Sequence, residues 1–261
     1  MRSLALEVSI RIPAGDKLGR RALLAAGAAA GVIAGAMGWA AILWPGRAGA
    51  GDRMKRVVLL GDSSFDNGAY VGAAPDVVRQ LRQLLPEGWR ADLNARDGAV
   101  MADIPGQLRA LPDEASHLVI SIGGNDALLQ VGVLDEGAGS VAEALEKLAA
   151  VRESFERDYA AMLEHAFSRR LPTAVCTIYE PRYPERRLRR LAATALALLN
   201  EVITREAFAC GATLIDLRLI CDRDEDFANP IEPSARGGAK IAQAVLDFVR
   251  EAKPAGAVIA R

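Results

Sequence analysis

With 261 residues, 51% of them apolar, the chain can bury one well-packed domain plus an appendage, which excludes a disordered chain. Its 32 basic and 33 acidic residues nearly cancel, and neither sign gathers into a long run, so no electrostatic footprint for nucleic acid is present. Three cysteines, Cys176, Cys210 and Cys221, form no C-x-x-C pair and read as reduced, buried thiols, while two histidines, His117 and His165, are too few for a histidine-rich metal site.

The chain divides into an N-terminal tail (1–21), an apolar segment (22–44), a linker (45–54), a domain (55–252) and a C-terminal tail (253–261). From Ala22 to Trp44 no residue is charged, and the basic pair Arg20 and Arg21 precedes the run. At about 1.5 Å per residue a helix of this length crosses a bilayer core. Three readings stand side by side: an uncleaved single-pass anchor, a secretory signal ending at Ala48, Gly49 and Ala50, or an upstream extension outside the natural product. An anchor places the domain outside the cytoplasm; a natural start at Met54 places it in the cytoplasm and removes the membrane attachment.

Within the domain, Val57 to Leu60 is a continuous apolar run ending at Gly61, the pattern of a strand buried on both faces of a parallel sheet. The spacing of Val77, Val78, Leu81, Leu84 and Leu85 predicts a helix over 75–85, stopped by Pro86 and Gly88. A second strand follows over 89–95, a helix over 101–110, and a third strand over 117–122, broken by Gly123 and Gly124. A long helix over 140–169 leads to a fourth strand (173–178). A helix over 188–209, a fifth strand (213–217) and a closing helix over 237–252 complete the pattern. Strands alternating with helices predict an α/β domain with three layers, α/β/α, and a flavodoxin-like, five-stranded parallel sheet.

Ligands of such sheets bind at the carboxyl ends of the strands. Asp62, Ser63 and Ser64 follow the first strand, Gly98 follows the second, and Asn125 and Asp126 follow the third. A serine hydroxyl at this edge becomes a nucleophile if a base lies beside it, but serine also caps turns and helices. Gly98 allows a backbone N–H to approach a ligand and Asn125 offers an amide, a pair suited to an oxyanion; both also serve in ordinary turns. Asp62, Asp66, Asn67 and Asp126 are candidates to line a pocket; Glu180 and Arg182 follow the fourth strand and Asp216 ends the fifth, and Asp66, Asn67 and these three read equally as turn or salt-bridge residues. No phosphate-cradling loop or metal-ligand cluster is present, so no cofactor or metal is expected.

Gly61-Asp62-Ser63-Ser64, Gly98 and Gly123-Gly124-Asn125-Asp126 resemble, in order, the first three blocks of the SGNH/GDSL hydrolases, over 55–252. The resemblance implies ester hydrolysis with Ser63 as nucleophile and the Ser63 N–H, the Gly98 N–H and the Asn125 side chain as oxyanion donors. The chain departs from the family at the last block, normally D-x-x-H, which here reads Asn229-Pro230-Ile231-Glu232. His117 starts a strand at the opposite end and His165 lies within a helix, so neither replaces the missing imidazole. Glu232 reads either as the base itself, its pKa raised by partial burial, or as a carboxylate anchoring the loop. Three functions follow as expectations: a serine esterase acting on a small-molecule ester, short esters foremost; a catalytically weakened domain binding an acyl or glycan-like ligand; and an acyl transferase.

Overall fold

The computed structural model describes residues 54–250 and 256–260. The chain folds as β1 (Lys55–Gly61), α1 (Val77–Leu84), β2 (Trp89–Leu93), α2 (Ile104–Arg109), β3 (His117–Ser121), α3 (Gly124–Leu129), α4 (Val141–Phe167), β4 (Thr173–Cys176), α5 (Arg186–Ala209), β5 (Thr213–Ile215), α6 (Leu217–Ile220), α7 (Ala235–Arg250) and β6 (Val258–Ile259). The strands form one sheet in the order β2-β1-β3-β4-β5-β6, every neighbouring pair parallel. The order of the first five is that of a flavodoxin-like sheet, with its switch point between β1 and β3.

The three layers follow from alternation along β1. Val57 and Leu59 pack with α1, α6 and α7 on one face; Val58 and Leu60 pack with α2, α4 and α5 on the other, and all four are fully buried. A strand covered on both sides by helices has to be apolar at every position, which is why the run at 57–60 carries no polar residue.

The sheet has six strands rather than five. The extra one is two residues long and beyond the closing helix, too short for any periodicity to mark it, and it exists only through pairing with β5. A short helix, α3, starts immediately after β3, where the two glycines read only as a break.

The expectation of a single-pass membrane protein is corrected. No helix among the described residues is long and apolar enough to cross a membrane. The stretch 22–44 on which the expectation rested lies outside the described residues. The cysteines also divide differently from expectation: all three are free, but Cys210, at the C-terminal end of α5, is exposed, whereas Cys176 and Cys221 are buried.

One ion pair is anchored in the fold's interior. Asp226 is fully buried and accepts from Lys240 Nζ at 2.6 Å, with Asp222 on the same ammonium at 3.2 Å. Lys240→Met leaves the Asp226 carboxylate without this partner and is expected to destabilise the fold by about 2–4 kcal/mol, read by denaturant titration. A change below about 0.5 kcal/mol would show that the pair contributes nothing.

Candidate active site

The site forms where three strand ends meet at the switch point. Gly61 closes β1 with φ 130°, and a Cβ there would sit 1.7 Å from the Ser121 carbonyl oxygen of β3. Only glycine allows this approach, after which the Asp62 N–H donates to the same carbonyl at 3.1 Å. From α2, Gln107 reaches back to Gly61, its Oε1 accepting from the Gly61 N–H at 2.7 Å and its Nε2 donating to the Gly61 carbonyl at 2.8 Å. The turn carrying Ser63 is therefore held at its root by a buried amide. Gln107→Leu leaves the Gly61 N–H buried and unpaired, and the expected loss of stability in chemical denaturation is about 1–3 kcal/mol.

Ser63 is buried to 7% exposure, and no acceptor among the described residues takes its backbone N–H. Asp62 turns inward, accepts from the Ser64 N–H at 2.9 Å, and has its pKa pushed up to about 6, chiefly by burial.

Asn125 stands in the first turn of α3. Its Nδ2 donates to the Ala99 carbonyl at 2.9 Å, and that bond orients the amide while leaving its second N–H for another acceptor. Asp126 accepts from the Met101 N–H with both carboxylate oxygens at 3.2 Å. The two residues together fix the loop after β2, in which Gly98 takes a left-handed φ of 77°. Burial raises the pKa of Asp126.

Glu232 is carried by the loop before α7. Asn229 Oδ1 accepts from the backbone N–H groups of Ile231 and Glu232, both at 3.0 Å. The Arg182 N–H donates to the Pro230 carbonyl at 2.7 Å, and the Tyr179 hydroxyl donates to the Ile231 carbonyl at 2.7 Å. Only 6% exposed, the Glu232 carboxyl has its pKa pushed up to about 7 by burial, and the nearby charges of Asp97 and Asp62 add to the rise. The Ser63 hydroxyl faces the carboxyl and draws the pKa part of the way back, yet Glu232 Oε2 is buried with no hydrogen-bond partner among the described residues. The two side chains thus approach without a well-formed bond in the free protein.

Ser63, Asp62, Asn125 and Glu232 line a common cavity of about 150 Å³. The other expected site residues lie around it rather than on its wall. Asn67 is fully buried, with Oδ1 on the Val77 N–H at 3.0 Å and Nδ2 on the Pro233 carbonyl at 3.1 Å, so it ties the serine loop to α1 and to the Glu232 loop. Asp66 accepts from the Asp97 N–H at 3.0 Å, and Asp97 accepts from the Tyr70 hydroxyl at 2.6 Å. Asp216 caps α6 and pairs with Arg218 at 2.6 Å, a structural role. His117 packs against Trp89 and Phe248, at the amino end of β3, and His165 is exposed on α4. Among the described residues no cluster of His, Cys, Asp or Glu is placed to hold a metal ion.

Two residues of the site escape a reading by motif. Tyr179 lines the cavity and holds the Glu232 loop, and its signal was only its place just after β4. Gln107 sits on the buried face of α2 with Ile104 and Leu108, and a polar residue at a core position is the clue it offered.

A serine, a buried carboxyl and an oriented amide thus stand around one cavity at the switch point of the sheet. Residues 59–240, more than half of the chain, match the GDSL-like lipase/acylhydrolase family, and the chain belongs to it. Solved structures share the fold. An extracellular lipase from Streptomyces rimosus aligns at 18% identity and TM-score 0.56, over 76% of this chain and 100% of that one. A phospholipase A1 from Streptomyces albidoflavus aligns at 17% identity and TM-score 0.54, over 76% and 98%. A lipolytic protein of the G-D-S-L family from Veillonella parvula aligns at 17% identity and TM-score 0.55, over 76% and 100%. Among curated proteins none matches the chain.

Proposed function

We propose that the protein is a serine esterase in which Ser63 is the nucleophile and Glu232 takes the part of general base. The observation that carries this reading is the buried Glu232 carboxyl facing the Ser63 hydroxyl on the wall of a shared cavity. A base works best when its pKa lies near the working pH, and burial brings an ordinary carboxylate from 4.5 to about 7.

In the first half-reaction Ser63 Oγ bonds to the ester carbonyl carbon as its proton passes to the Glu232 carboxylate. The oxyanion takes hydrogen bonds from the Asn125 Nδ2–H and the backbone N–H of Ser63, with Gly98 at the rim of the same loop cluster. The carbon–oxygen bond to the alcohol then breaks, and the proton held on Glu232 goes to the departing alkoxide. Water repeats the sequence on the acyl-serine, giving the carboxylic acid and free Ser63. Atoms and charges balance without a further reactant.

Belonging to a family of lipases and acylhydrolases favours turnover over a pure binding role, and nothing in the site favours the binding or transferase readings. The test is Asn125→Ala in the full chain, assayed on aryl esters. The loss of one oxyanion donor is expected to lower kcat by about 10²–10³-fold with a much smaller change in KM. An unaltered kcat would remove Asn125 from the reaction. Absence of turnover by the unaltered chain on a broad ester panel would remove the esterase reading.

A further inference from the structure

The cavity extends well past the reacting groups. Beyond Ser63 and Asn125 its wall is built almost wholly of aliphatic side chains from α3, α4 and α5 and the turn between α3 and α4. On α5, Leu188, Ala192, Ala195 and Leu199 stand at intervals of four, three and four residues, which puts them along one helical face. On α4 the matching residues are Leu148 and Val151.

Further along the same two helices the gap is filled. Phe155, Tyr159, Met162 and Leu163 of α4 share one buried cluster with Val202 and Ile203 of α5. Arg152 bridges to Glu201 at 2.6 Å, and Arg205 bridges to Glu156, so the helices are pinned together below the cavity. In the space above, α5 presents the small side chains of Ala192 and Ala195 to the cavity. An aliphatic wall of this kind favours apolar groups over water.

Resting on the esterase reading, we infer that the α4–α5 gap is the acyl-chain site, and that Ala192 and Ala195 set the acyl length at about six to eight carbons. The length follows from volume: about 150 Å³ holds six carbons in the form of benzene, and because Ser63 lines the same cavity the carbonyl carbon is counted within it, so an acyl group of about six carbons fills it and one of eight reaches its open mouth. Each methylene taken from water into the cavity adds about fourfold to transition-state binding until the cavity is full. The preferred substrate class is therefore a medium-chain acyl ester rather than an acetyl ester.

The experiment compares kcat/KM on p-nitrophenyl esters from acetate to dodecanoate for the full chain, Ala195→Phe and Leu148→Ala. The unaltered chain is expected to peak at hexanoate or octanoate. Ala195→Phe fills the gap and is expected to lower the octanoate-to-acetate ratio at least tenfold. Leu148→Ala lengthens the gap and is expected to raise the dodecanoate-to-octanoate ratio. A peak at acetate in the unaltered chain, or ratios unmoved in both variants, overturns the inference. If no ester is turned over, the esterase reading fails and the cavity is read by calorimetric titration of octanoate. Binding that Ala195→Phe abolishes then upholds the chain site, and no binding to the unaltered chain overturns it.

Discussion

Ser63→Ala in the full chain is expected to lower kcat on a good aryl ester by about 10⁴-fold or more, the loss that follows removal of a nucleophile that works as a unit with its base. Because the alanine removes a hydroxyl alone, the cavity and oxyanion donors persist, and the variant should still bind the product acid. Activity within tenfold of the unaltered chain would place the nucleophile elsewhere.

Glu232→Gln carries the second large effect. A glutamine keeps the shape of the side chain but cannot take the serine proton, and the expected fall in kcat is about 10²–10⁴-fold. The pH profile separates this role from loop anchoring. Only ionised Glu232 can act as base, so kcat/KM of the unaltered chain should rise about tenfold per pH unit below neutrality and level off above about 7. A solvent-exposed glutamate would already be saturated near pH 5.5, one unit above its ordinary 4.5.

Stability is expected to move in the opposite direction. The folded chain holds the Glu232 proton more tightly than the unfolded chain does, so stability falls as pH rises from 4.5 through about 7. Asp62 acts with the same sign between 3.8 and about 6. Glu232→Gln removes its share of that loss, and its Tm at pH 8 should equal or exceed that of the unaltered chain. A variant that loses activity and Tm together would make Glu232 a loop anchor instead. Restoring the family's pattern with Asn229→Asp and Glu232→His offers a further comparison, since an imidazole there would shift the midpoint toward 6.5.

How far the sequence could be read depended on whether each feature was local. The apolar run 57–60, the glycine stops after the strands and the helical spacing of 77–85 are nearest-neighbour patterns, and the sheet, its two covers and the positions of Ser63 and Asn125 could be read from them. Glu232 was legible as a departure from a motif. The cavity was not legible, because Ala192 and Ala195 are ordinary helix residues until α4 is placed opposite them. Gln107 and Tyr179 act through backbone groups 46 and 52 positions away in the chain, so no local pattern announces them. The same holds for β6, which is defined only by its partner strand.

The division of the cysteines has a practical consequence. Cys176 and Cys221 are shielded by the core, which pushes both thiols far above the range where thiolates form, Cys221 to about 12. Cys210 alone meets solvent, at the end of α5 that leads into the amino edge of the sheet, whereas Ser63 opens at the carboxyl edge. Among the described residues the molecule therefore offers one point for covalent attachment, remote from where substrate enters. A maleimide dye or resin coupled there leaves the edge that carries Ser63 turned outward, and ester turnover on the support becomes a direct measure of whether the two edges are as far apart in function as in space.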